Sequence, residues 1–168
     1  MVAATSQAQS RPATPTPAAA ASAQATAPAR AVPNVSVLIV EQEGYTRTLV
    51  STVARALGIE QIVTANGAKA ALKIADEAKI TLVVCDLELP EMSGLEFLAE
   101  LRRKAPHVQF LLISNQSDPE HIQEAVNSGV SAILVRPFSR AQVEAKLRYL
   151  VHRIAPSLAS LSAARHHA

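Results

Sequence analysis

From Val35 onward, short apolar runs alternate with amphipathic stretches. Val35, Ser36, Val37, Leu38, Ile39 and Val40 read as a strand covered on both faces, because the run is almost unbroken and rich in branched aliphatics. Leu49, Val50, Val53, Ala54 and Leu57 then share one face of a helix that Gly58 closes. A second strand over residues 61–65 precedes a helix from about Gly67, with Ala71, Leu72 and Ala75 along one side. Residues 80–85 form a third strand. A loop containing acids and a proline leads to a third helix carrying Leu95, Leu98 and Leu101, and residues 108–113 form a fourth strand. Ser117, Pro119 and Glu120 have the spacing of a capping box for a fourth helix ending near Gly129. A fifth strand over residues 131–135 runs through Arg136, Pro137 and Phe138 into a last helix. Ser139 caps that helix, and Val143, Leu147, Leu150 and Val151 face inward.

Five successive strand-helix units predict an α/β fold, a five-stranded parallel sheet with helices on both faces joined by right-handed crossovers. The pattern stops at either side. Residues 1–34 are nearly all Ala, Pro, Thr, Ser and Gln, too poor in large apolar groups to offset the entropy of ordering them, and read as a disordered tail. Residues 154–168 read as a short C-terminal tail, in which His166 and His167 suggest solvated side chains more than a metal site. The 168 residues thus leave one foldable domain, over residues 35–153.

Composition narrows the functional classes. Two Tyr, three Phe and no Trp favour aliphatic helix-on-sheet packing and argue against a protein that stacks nucleic-acid bases. The net charge of +2 is spread along the chain, with neither a basic stripe nor an acidic tail. Cys85 is the single cysteine, so an internal disulfide is impossible and a reducing cytoplasm is the expected home. No apolar run approaches the about 20 residues of a membrane span, and the N-terminus lacks a signal-peptide core. No membrane or nucleic-acid partner is expected.

Sites in sheets of this kind lie at the carboxyl ends of the strands, and here those ends are rich in reactive groups. The first strand is followed by Glu41, Gln42 and Glu43, the third by Asp86, Leu87 and Glu88, the fourth by Ser114 and Asn115, the fifth by Arg136. Asp86 and Glu41 suit a hard divalent cation such as magnesium, completed by a backbone carbonyl and water. An aspartate can act as nucleophile toward phosphorus, and the Ser114 hydroxyl and Arg136 guanidinium can donate to phosphoryl oxygens. Any one of these acids alone would read as a solvated helix cap; four strand ends together do not.

Leu38-Ile39-Val40-Glu41-Gln42, the spacing of Asp86, Pro90 and Gly94, Ser114 after the fourth strand, and Arg136-Pro137-Phe138 together resemble the response-regulator receiver family, over about residues 35–153. The resemblance implies a doubly wound, flavodoxin-like (βα)5 receiver fold of the CheY type, here as a single-domain member. It implies a two-component signalling role in which Asp86 accepts a phosphoryl group from a phosphohistidine of a sensor histidine kinase or histidine phosphotransfer protein. Glu41, Asp86 and the backbone carbonyl of Glu88 would hold Mg2+, with Gln42 near it. Ser114 would be the switch hydroxyl, Arg136-Pro137 a cis bond, and the face formed by the fourth helix, fifth strand and fifth helix the docking surface for a downstream protein.

Three positions depart from the family pattern. Gln42 replaces a second acid, which weakens the metal site unless Glu43 compensates. Arg136 replaces a lysine, and a planar, two-pronged guanidinium is not equivalent to an ammonium; it either grips a phosphoryl group or pairs with Asp86. Ile133 stands where the family commonly carries an aromatic ring. These departures leave a second reading open, a pseudo-receiver that binds partners without phosphorylation. A third, a dehalogenase-like phosphatase suggested by Asp86-Leu87-Glu88, fails because that pair should follow the first strand and be joined by further acids. With no P-loop or glycine-rich dinucleotide turn, a nucleotide-binding protein is disfavoured, and a signalling module is favoured over an enzyme. Cys85 reads as a small core residue, and Arg47 as the partner of a neighbouring acid.

Overall fold

A computed structural model describes residues 31–32 and 34–156; the tail expected over residues 1–34 and the terminal histidine pair lie almost wholly outside the described residues. Five strands and five helices alternate: β1 (Ser36–Val40), α1 (Gly44–Ala56), β2 (Gln61–Ala65), α2 (Ala68–Glu77), β3 (Leu82–Asp86), α3 (Gly94–Lys104), β4 (Gln109–Ser114), α4 (Pro119–Asn127), β5 (Ala132–Val135) and α5 (Arg140–Ile154). The strands form one sheet in the order β2-β1-β3-β4-β5, parallel throughout. The predicted architecture is therefore present. β3 and β4 each begin and end one or two residues later than the apolar pattern suggests, so Asp86 and Ser114 are the last residues of their strands rather than the first beyond them.

Strand periodicity of two divides the core into two layers. Val37, Ile39, Val84, Leu111 and Leu134 face one side, where they pack with Val50 and Val53 of α1 and Val143, Leu147 and Leu150 of α5. Leu38, Val40, Val83, Cys85, Phe110 and Leu112 face the other, against Ala71 of α2, Phe97, Leu98 and Leu101 of α3 and Ala125 of α4. The interior strand β1 is buried along its whole length, which is why its sequence shows a continuous apolar run.

Local chemistry ends the helices where the sequence indicates. Gly58 and Gly129 both have φ of +87°, and the residue after each closes a six-residue turn: Ile59 N–H donates to the Ala54 carbonyl at 3.1 Å, Val130 N–H to that of Ala125 at 3.3 Å. Only glycine enters that left-handed region without a steric cost. Ser139 caps α5 as expected, in a capping box with Gln142, and Ser93 does the same for α3 with Glu96. The expected cap of α4 needs correction. Asp118, not Ser117, is the N-cap residue, and its carboxylate accepts the His121 N–H at 3.1 Å and meets the His121 ring at 2.6 Å. Pro119 at the first helical position brings no N–H, so the residue directly before it supplies the cap.

No helix among the described residues is long and apolar enough to cross a membrane.

Candidate functional site

The chain turns from β2 on one side of β1 to β3 on the other, so the carboxyl ends of β1 and β3 meet at the point where strand order reverses. Glu41 leaves β1 there and Asp86 ends β3. Glu41 is buried, with its side chain 1% exposed, while 13% of Asp86 reaches the surface. Arg136, immediately after β5, spans the gap: its Nη2 donates to Glu41 Oε2 at 2.7 Å and its Nη1 to Asp86 Oδ2 at 3.2 Å. The other two carboxylate oxygens accept backbone N–H groups, Glu41 Oε1 that of Glu43 at 2.9 Å and Asp86 Oδ1 that of Glu88 at 3.0 Å. Burial, helped by the nearby Asp86 charge, raises the Glu41 carboxyl above its usual value, while the Glu43 N–H and Arg136 pull it back.

Gly94 makes this arrangement possible. A Cβ there would lie 2.5 Å from the Asp86 carbonyl oxygen, far inside contact distance. The Gly94 N–H instead donates to the Leu87 carbonyl at 2.8 Å, and Glu88 bridges antiparallel to Ser93. The loop after Asp86 is thereby folded tightly back on the strand end. The spacing of Asp86 and Gly94 has a direct steric cause.

The remaining sequence-selected residues are distributed around this centre. Ser114 is buried at the end of β4, and its hydroxyl accepts the Gln116 N–H at 2.9 Å; it is one strand away from Asp86 and turned toward its own loop. Its carbonyl accepts the Arg136 N–H at 2.9 Å, tying β4 to β5 at the rim. The Arg136-Pro137 bond is cis, as the resemblance implies. Gln42 is exposed and lines a shallow cleft with Arg47, Asn66 and Pro90. Ile133 borders a cavity of about 780 Å³ between α3 and α4, with Leu95, Leu112 and Ile122 among its walls. Cys85 is fully buried and its thiol donates to the Asp86 carbonyl at 3.1 Å. Burial pushes that thiol well above its usual range, so it holds its proton and is inert.

Two residues behave differently from the sequence reading. Glu43 is the N-cap of α1: its carboxylate accepts the Tyr45 and Thr46 N–H groups and the Thr46 hydroxyl, contacts that lower its pKa. An acid directly before a helical run is the signal that marks this role. Arg47 pairs with no acid among the described residues. Its guanidinium donates to the Glu41 carbonyl at 3.1 Å and to Asn66 Oδ1 at 3.2 Å, clamping the first loop to the second.

Among the described residues, no group of three or more His, Cys, Asp or Glu side chains is placed to hold a metal ion. Every oxygen of Glu41 and Asp86 already accepts a hydrogen bond, and a guanidinium sits between them. In this arrangement the residues do not fit a bound magnesium ion.

Comparison with known proteins settles the family. The profile of the response regulator receiver domain matches residues 37–148. The chain belongs to the receiver family. This receiver is 29% identical over 123 residues to the chemotaxis protein CheY-3 of Vibrio cholerae, covering 72% of this chain and 95% of the relative. It is 28% identical over 109 residues to the chemotaxis protein CheY of Listeria monocytogenes, with 65% and 92% covered. Among solved structures, the receiver is similar to the chemotaxis regulator CheY4 of Vibrio cholerae, with a TM-score of 0.64, 26% identity and coverage of 69% of this chain and 98% of that one. Receivers of this CheY-like kind are two-component signalling modules that interact with histidine kinases and downstream effectors.

Proposed function

We propose that the receiver accepts a phosphoryl group on Asp86 and signals by protein contacts, without catalysing turnover of a substrate. The observation that carries this reading is the Asp86 carboxylate, partly open to solvent at a strand end, with the Arg136 guanidinium 3.2 Å from it. In the proposed step a phosphohistidine of a sensor kinase or phosphotransfer protein is the donor. The phosphorus-nitrogen bond breaks as a bond to an Asp86 oxygen forms, and the imidazole nitrogen leaves with the pair of electrons. Arg136 neutralises charge on the transferred group, as a fork of N–H donors does for phosphoryl oxygens. The Ser114 hydroxyl, which accepts from the Gln116 N–H, is one strand away, and turning it toward the new oxygens would break that hydrogen bond. A change there reaches α4 and β5 directly, and the α4-β5-α5 face is the proposed contact with a downstream protein. The reading places the chain in the cytoplasm, with no nucleic-acid or membrane partner. Glu88 and Gln42 have no step in it.

A second reading is supported by the same guanidinium. Because Arg136 already bridges Glu41 and Asp86, the pocket holds a cation of its own, which suits a phosphorylation-independent interaction module. Incubation with a small-molecule phosphodonor, with and without magnesium, followed by intact-mass measurement separates the two. The phosphoacceptor reading expects one phosphoryl adduct on the wild type and none on Asp86→Asn. No adduct from either a small donor or a phosphohistidine protein would establish the pseudo-receiver instead.

A further inference from the structure

We infer that the Arg136 guanidinium is the resident cation of the pocket and keeps divalent metal ions out of it. Two carboxylates are enough for a magnesium ion that retains most of its water, so the number of acids is not the obstacle. The obstacle is that both acids already share one fixed cation, placed between them. One guanidinium donates to Glu41 at 2.7 Å and to Asp86 at 3.2 Å, using two different nitrogens. The remaining oxygens are held by the Glu43 and Glu88 N–H groups. A dication entering between the acids must displace the guanidinium or lie beside its positive charge.

The surroundings reinforce this. Gln42 adds no charge, and Glu43, the acid that follows it, is committed to capping α1. Arg136 has little room to withdraw: only 22% of its side chain is exposed, and its backbone is pinned by the hydrogen bond to Ser114. A lysine at the same place would give one compact ammonium, able to serve one acid and leave the other open to a metal ion. The two-pronged geometry of arginine is what closes the pocket.

The inference concerns the pocket in which Asp86 is proposed to be phosphorylated and takes its significance from that reading. Its readout is ion binding, so either can fail while the other stands. The full chain is titrated with Mn2+, with free ion followed by electron paramagnetic resonance and bound ion by paramagnetic broadening of the Glu43 and Glu88 amide resonances. Wild type leaves the free-ion signal unchanged and both amides sharp. Gln42→Asp alone, which adds an acid but keeps Arg136, gains nothing. Arg136→Lys combined with Gln42→Asp binds at least about tenfold more tightly than wild type, since affinity follows the uncompensated ligand charge, and the broadening is lost again with Asp86→Asn. Binding by wild type that broadens Glu88 and disappears in Glu41→Gln overturns the inference. So does a gain from Gln42→Asp alone, or a folded double variant that still binds no metal. Should the double variant not fold, the wild type and the Gln42→Asp protein, altered only at an exposed side chain, still decide the matter.

Discussion

Helices α4 and α5 lie on opposite faces of the same strand, β5, and are held to it very differently. α5 buries Val143, Leu147, Leu150 and Val151 and packs against Val50, Val53 and Ala54 of α1. α4 buries only Ala125, leaves Val126 54% exposed, and stands beside the 780 Å³ cavity that separates it from α3. Its C-terminal end is tied to α3, where Arg102 Nη2 donates to the Gly129 carbonyl at 2.9 Å. One side of β5 is anchored by apolar packing and the other is tethered with room beneath it. A displacement at the strand-end pocket therefore costs least when α4 takes it up, since few apolar contacts are broken. The ion-paired pocket itself sits with the anchored half, because Arg136 leads through Pro137 and Phe138 into α5.

The largest expected effect tests that contrast directly. Leu147→Ala removes a fully buried side chain from the α5 layer and should cost about 2–5 kcal/mol. Ile122→Ala, on the cavity side of α4, should cost under about 1 kcal/mol, because no close-packed wall surrounds the lost atoms. Urea unfolding midpoints of the two variants measure the difference, and equal losses would remove the asymmetry on which the comparison rests.

Next in size is the ionic centre. Arg136→Met leaves Glu41 and Asp86 facing each other without a counter-charge, and should cost about 3 kcal/mol at neutral pH, the lower end of the range for a broken buried pair since Arg136 is partly exposed. The pH dependence has a defined sign. Burial first, with the Asp86 charge behind it, gives Glu41 a raised pKa in the folded state, so the fold holds that proton more tightly than the unfolded chain does. Its contribution falls as pH rises from the ordinary carboxylate range through the raised value, and is flat above it. Losing Arg136, which pulls the value down, widens the window. The deficit of Arg136→Met should shrink on acidification toward the ordinary carboxylate range. A deficit that grows instead would mean that Glu41 does not carry it.

What the sequence made legible was whatever is local or periodic. The apolar runs placed all five strands, Gly58 and Gly129 marked two helix ends, and the strand-end rule drew Glu41, Asp86, Ser114 and Arg136 to one rim. Side-chain reach was not legible. The sequence leaves Arg136 to choose between a phosphoryl group and Asp86, and only the distances reveal a fork shared with Glu41. Glu43 was open to two roles because a carboxylate after a strand and before a helix suits a metal or a cap equally; three donors in α1 decide for the cap. Ser117 lost the α4 cap to Asp118 through a difference of one residue, which spacing alone does not resolve. The cavity beside Ile133 left no trace in the pattern, since empty space has no residue type.

That cavity supplies the smallest prediction and the one that sharpens the comparison most. Ile133 is half-buried on the cavity side of β5 while its neighbour Leu134 belongs to the opposite, closely packed layer. Ile133→Phe extends apolar surface into open space lined by Leu112, Ile122 and Ala125, so it should stabilise the fold by about 1 kcal/mol through added burial rather than strain it. The gain should be local. Amide hydrogen exchange in α4 should slow while that in α5, whose layer is untouched, stays as it was. The same enlargement on the packed side, Leu134→Phe, should destabilise, because a full core has no place for the added atoms. If Ile133→Phe also destabilises, the space under α4 is closed in solution and the two sides of β5 are alike after all.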